Sequence, residues 1–114
     1  MHYNSISEAT KSRYARKFVT PAEAAAVIRS GDRVYIHPGC AVPQVLVGAM
    51  VERYEELHDV EVCHLLGVGE AAYVRPEMKG HFRHNAFFIG KNVRKAVCDS
   101  VTAEMRCASQ KYMT

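Results

Sequence analysis

No stretch of this 114-residue chain is apolar for long. Ala24 to Ile28, and Val45 to Val51 with Gly48 inside, are the longest such runs. Both fall far short of the ~20 residues a helix needs to cross a bilayer, so no membrane partner is expected. The N-terminus has no positive start followed by an apolar stretch, so no secretory signal is read there. A cytoplasmic location with reduced thiols is therefore expected, although four cysteines would allow two disulfides. No two of Cys40, Cys63, Cys98 and Cys107 are spaced Cys-x-x-Cys, which argues against a zinc knuckle or a thioredoxin-like motif. His81 and His84 lie three apart with nothing to place them on one helix, so no metal site is expected. Neither G-x-G-x-x-G nor G-x-x-x-x-G-K-[ST] occurs, and Gly39 therefore stands outside any dinucleotide or P-loop fingerprint. Internal repeats, linkers and low-complexity tracts are absent as well.

Net charge is also small. Fifteen Lys and Arg against twelve Asp and Glu give a net charge of +3. A nucleic-acid binder usually shows a basic stripe interleaved with aromatics. The local basic cluster here, Lys11, Arg13, Arg16 and Lys17, has the spacing of a solvated helix face, and no nucleic-acid partner is expected.

What the chain does have is an ordinary globular composition, with 48% hydrophobic and 24% charged residues. Its length suits one domain or a piece of one. Residues 1–18 read as a helical, polar lead-in in which Ile6, Tyr14 and Phe18 are the side chains able to dock on a core. Thr20-Pro21-Ala22-Glu23 is a capping box with proline at the first helical position, and it predicts a helix through Ile28 that Gly31 closes. Arg33 to His37 reads as a buried strand. Pro38-Gly39-Cys40-Ala41-Val42-Pro43 forms its turn. A helix follows to about Leu57, with Val45, Leu46, Ala49, Met50 and Tyr54 on its apolar face. His58-Asp59 is a turn, Val60 to Leu66 a second strand, and Gly67-Val68-Gly69 its end. A loop leads to a third strand at Asn85 to Ile89, stopped by Gly90, and then to a short helix from Lys91 to Val97.

Strands alternating with helices predict an α/β fold built on a partial, open, mostly parallel sheet with flanking helices. In such sheets ligands gather beyond the carboxyl ends of the strands. Each of the three ends carries glycine, which lets backbone N–H groups approach an anion or a carbonyl oxygen. The first also leads into a helix N-terminus. Cys40 with His37 or His64 is open to two readings, a thiol–imidazole pair or a small residue in a tight loop beside packed histidines. Glu70 and Glu77 could face a ligand, and Arg75, Arg83 and Arg94 could fork an anion. Tyr73, Phe82, Phe87 and Phe88 read as core. A non-catalytic module holding an anionic small molecule at these glycine-rich ends is one functional reading.

The order of the pieces supports another. Thr20 to Ala24 with Ile28 to Val34, then Gly39 to Leu46, then Leu57 to Val62 with His64, resemble the acetyl-CoA hydrolase/transferase family, which includes 4-hydroxybutyrate CoA-transferase-like enzymes. Tyr73, Pro76-Glu77, Phe82-Arg83, Asn85 to Phe88 and Val93 to Val97 continue the resemblance, which runs from about Arg13 to Val97. It implies the N-terminal half of a CoA-transferase-like fold of the NagB/RpiA type. It also implies an activity that moves coenzyme A between carboxylic acids in acetate and acetyl-CoA metabolism, or hydrolyses an acyl-CoA. Coenzyme A is then a substrate and no cofactor is needed. Family members use a glutamate nucleophile borne by the C-terminal half of a longer chain, and no residue here corresponds to it. Catalytic residues are accordingly not expected in this chain. By position, the residues that would line the substrate cleft are Gly39, Cys40, Ala41 and Pro43, then Gly67 and Gly69, through backbone amides facing an oxyanion. The expected partners are an acyl-CoA, a short carboxylic acid, and the missing C-terminal half or a second copy. The expected division is a lead-in at 1–18, an α/β segment at 19–97 and a divergent tail at 98–114, as a fragment or a frame-altered product would have.

Overall fold

The computed structural model describes residues 6–98 and 106–107. Most of the 98–114 segment therefore lies outside the described residues. Helix α1 (Glu8–Arg13) starts at Ser7, whose hydroxyl accepts from the Thr10 N–H at 3.2 Å. It buries nothing, and Ile6, Tyr14 and Phe18 all stay nearly half exposed, so the expected docking of the lead-in does not occur.

Helix α2 (Pro21–Ala25) begins as its capping box requires. The Glu23 N–H donates to the Thr20 hydroxyl at 3.2 Å, and the Thr20 N–H donates to the Glu23 carboxylate at 2.7 Å. The second bond holds the Glu23 carboxyl below its usual range. The helix stops well short of Gly31, whose N–H instead bonds the His58 carbonyl at 2.9 Å. Its end is supplied from a distance: the Arg53 guanidinium donates to the carbonyls of Ala25 and Ile28.

Strands β1 (Arg33–Ile36), β2 (Val60–His64) and β3 (Phe82–Ala86) pair in parallel, in chain order, and a two-residue β4 (Arg106–Cys107) adds to β3. The rows Val34–Val62–His84 and Ile36–His64–Ala86 face inward, and Tyr35–Cys63–Asn85 faces out. Helix α3 (Gln44–Glu52) covers the inward face, and Met50, Leu57, Val60, Val62 and Val93 are fully buried there. Each such side chain contributes roughly 1.5–3 kcal/mol through burial. Helix α4 (Lys91–Cys98) follows β3.

Three local expectations shift. Strand β1 is not buried on both sides, because Tyr35 is 56% exposed and nothing described covers its face. Helix α3 buries Val47, Ala49, Met50 and Val51 and leaves Val45 and Leu46 outside. It is apolar almost all round, so periodicity does not choose its inner face; packing on the sheet does. Strand β3 begins three residues earlier than expected. Its core side chains alternate with Arg83 and Asn85, whereas the more apolar Phe87-Phe88 lies past its end and is exposed.

Candidate functional site at the strand ends

The carboxyl ends of the three strands converge. The Gly39 N–H donates to the Leu66 carbonyl at 2.8 Å, and Gly39 and Gly67 form a parallel bridge beyond β1 and β2. Beyond β3, Phe87 and Phe88 donate to the carbonyls of His64 and Leu65 at 2.9 and 2.8 Å. Gly90 approaches so closely that a methyl group on it would lie 3.3 Å from the Gly67 carbonyl oxygen. The glycine turns therefore form one contiguous rim.

Two amide side chains clamp that rim. Gln44, first in α3, donates Nε2 to the Val68 carbonyl at 2.7 Å. Asn92, second in α4, donates Nδ2 to the Gly69 carbonyl at 2.9 Å. Gly69 has φ +93°, and a methyl there would meet Gln44 Nε2 at 2.3 Å, so both the backbone and the clamp demand glycine. Sequence reading assigned no role to Gln44 or Asn92. The available signal was position: each stands at a helix start directly after a strand-end turn.

Beneath the rim sits a polar group of residues that sequence reading did not assemble. His64 ends β2 and is fully buried; His84 lies in mid-β3 and is 3% exposed. Their Nε2 atoms share a hydrogen bond, and the rings stack at 4.4 Å. Tyr73, from the short turn Ala72–Val74, packs against both at 6.3 and 5.5 Å between ring centres. Burial keeps the imidazoles neutral: it lowers His64 from its ordinary value and, with help from the charge His64 would carry, pushes His84 down to about 3. Burial likewise pushes the Tyr73 hydroxyl up to about 12. Among the described residues, neither histidine Nδ1 has a hydrogen-bond partner.

Of the expected site residues, Gly39, Gly67 and Gly69 lie on the rim. Cys40, Ala41 and Pro43 are exposed on the turn between β1 and α3. Pro43 also borders an apolar crevice of ≈ 190 Å³ between α2, α3 and β1, which Ile28, Leu46 and Met50 help to line. The thiol–imidazole reading finds no support: no hydrogen bond joins Cys40 to His37 or His64, and the His64 Nε2 is taken by His84. Glu70 is held by Arg75, and Arg83 of β3 by Asp59, which accounts for these charges as surface pairs. Cys40 and Cys63 are free thiols. No three His, Cys, Asp or Glu side chains among the described residues are grouped to hold a metal, and no described helix is long and apolar enough to cross a membrane.

An open parallel sheet whose strand ends meet at glycine turns beside helix starts defines an α/β domain of the kind that places ligand sites at that edge. Comparison with known proteins makes the class specific. Residues 3–104 match the acetyl-CoA hydrolase/transferase N-terminal domain, and the chain belongs to that family. It is 34% identical over 84 residues to the 4-hydroxybutyrate coenzyme A transferase of Clostridium kluyveri. That alignment takes in 74% of this chain and 20% of the relative. It is 33% identical over 72 residues to the succinyl-CoA:acetate/propanoyl-CoA:succinate CoA transferase of Fasciola hepatica, covering 61% of this chain and 15% of that one. The chain thus spans a fifth or less of the length of these relatives. The fold is similar to that of RipA from Yersinia pestis, with a TM-score of 0.70 at 20% identity over 86% of this chain and 25% of that one.

Proposed function

We propose that this chain forms the glycine-rimmed wall of a cleft in which coenzyme A passes between carboxylic acids, of the acetyl-CoA and acetate type, or in which an acyl-CoA is hydrolysed. The observation that carries the reading is the convergence of Gly39, Gly67 and Gly90 at the carboxyl ends of parallel strands, in a member of this family. The Gly39 N–H is already spent on the Leu66 carbonyl, so in this reading other backbone amides of the rim face the thioester carbonyl, and amides fixed before the reaction stabilise the oxyanion that develops there. Coenzyme A is a substrate in this reading, and no further cofactor takes part. The attacking carboxylate belongs to a C-terminal half beyond these 114 residues, so the chain contributes to transfer and is incomplete alone. A cytoplasmic enzyme working on acetate and acetyl-CoA suits this chemistry.

The test is a coupled assay of CoA transfer from acetyl-CoA to a short carboxylate. The purified 114-residue chain is expected to be inactive, and activity is expected to appear when a C-terminal half from a relative is supplied. Robust turnover by the chain alone would overturn the division of labour.

A further inference from the structure

Strand β1 is an open edge. Among the described residues it pairs with β2 alone. The Glu61 N–H donates to the Asp32 carbonyl at 2.9 Å, so the parallel ladder turns the backbone N–H and C=O groups of Val34 and Ile36 toward β2. Backbone groups alternate in direction along a strand, and those of Arg33 and Tyr35 therefore point away from β2. No loop or turn among the described residues bonds them. Proline or lysine commonly guards such an edge, and β1 carries neither.

The side chains beside the edge are open too. The apolar crevice of ≈ 190 Å³ runs between β1, α2 and α3, and Val27 and Leu46 on its walls are 74% and 45% exposed. An apolar crevice along an unpaired strand is an association surface. The 114 residues offer no parallel strand of their own to cover it. Strand β4 lies on β3 at the opposite edge, and residues 108–114 are fewer than the dozen or more that a parallel crossover takes.

A second copy needs no connection, and the edge is complementary to itself. A two-fold axis perpendicular to the sheet at Val34 sets β1 of one copy antiparallel to β1 of the other, with Val34 opposite Val34. Arg33 of each copy then lies opposite Tyr35 of the other. These are the two residues whose backbone groups are unused, and each such pair exchanges two hydrogen bonds, four in all. Both side chains stand on the outward face, so each guanidinium meets a tyrosine ring across the seam, a favourable cation–π pairing. A register with Arg33 opposite Arg33 would instead set like charges together. On the inward face the two crevices meet across the pair of Val34 side chains.

We propose that the β1 edge and its apolar crevice form a docking surface for a second copy of this chain, which adds its own β1 antiparallel with Arg33 opposite Tyr35 in both directions. The inference goes beyond the acyl-transfer reading and does not depend on it.

Sedimentation equilibrium of the 114-residue chain measures the assembly, and amide hydrogen exchange at low and high protein concentration locates the surface. The mass is expected to approach twice 12.8 kDa as concentration rises. The Arg33 and Tyr35 amides should slow with concentration much more than those of Val34 and Ile36, which are already bonded to β2. Tyr35→Lys puts a like charge opposite Arg33 twice and should weaken the dimer roughly tenfold, whereas Tyr35→Glu puts an opposite charge there and should leave it within about threefold. Tyr35 is exposed, so neither change disturbs the core, and far-UV circular dichroism verifies that both variants fold.

A mass that stays at 12.8 kDa up to the highest soluble concentration overturns the proposal. Arg33 and Tyr35 amides that ignore concentration, or equal effects of the two substitutions, overturn it as well, by assigning association to another surface or register. Protection of this edge only when a C-terminal half from a relative is added gives the edge to that half and likewise overturns it. The transferase reading is scored separately, by turnover after reconstitution.

Discussion

The two faces of the sheet treat polar side chains in opposite ways. On the outward face β1, β2 and β3 each contribute polar groups, and these satisfy one another across the ladder. Arg33 donates to Glu61, Glu61 also accepts from Asn85 at 3.1 Å, and Arg83 donates to Asp59 at 2.6 Å. Glu61 is only 8% exposed although no described helix lies over it, because its neighbours' side chains cover it. On the inward face, packed beneath α3, two histidines share one bond and keep two nitrogens unpaired. Self-sufficient polar groups hold a sheet together. Polar groups short of partners in a dry core are costly, and here they lie under the rim of the strand ends.

Several measurements can break or sharpen this contrast. The largest effect belongs to the inward face: Met50→Ala should cost about 2–5 kcal/mol in urea unfolding, as cavity-forming truncations do. A loss under 1 kcal/mol would show that α3 is loosely seated.

Acid should separate the faces next. His84 titrates at about 3 when folded, against an ordinary value of 6.5, so the unfolded chain takes up a proton first. Stability from the neutral pair is complete above pH 6.5 and falls as the pH drops toward 3. The loss between pH 6.5 and 4.5 should reach roughly 2–3 kcal/mol, and His84→Gln should remove more than half of it. Glu61, held below its ordinary 4.5 chiefly by the Arg33 hydrogen bond, adds its share only below that pH. Unfolding curves that stay flat down to pH 4.5 would contradict the buried neutral pair.

Gly69→Ala forces a left-handed alanine and displaces Gln44, for an expected cost of about 1–3 kcal/mol. Gln44→Ala in the same chain should recover part of it. Thr20→Ala should cost about 1 kcal/mol through the lost cap, read from the thermal midpoint. Tyr35→Ala, on the outward face, should stay within ~0.5 kcal/mol. A larger loss there would mean that a segment outside the described residues covers that face.

How much of this was legible beforehand depends on the range of the cause. The capping box, the β1–α3–β2 order and the three glycine ends rest on local chemistry, and residues adjacent in the chain specify them. The inner face of α3 was misread because its apolar residues run all round the helix. The start of β3 was misread because Arg83, His84 and Asn85 look like loop residues until the ladder places Arg83 and Asn85 on the outward face and His84 in the core. The His64–His84–Tyr73 group was invisible for a related reason. Its members are 9 to 20 positions apart, and only the parallel register of β2 and β3 sets the rings together.

Arg53 has a consequence for how the domain assembles. Five residues are too few for a helix to persist alone, since the first turn is the costly one to form. The closing contact of α2 comes from the residue that ends α3, some 25 positions later in the chain. The two helices are therefore a single cooperative unit: α2 waits for α3 to seat, and amide protons in both should exchange with solvent through the same opening event.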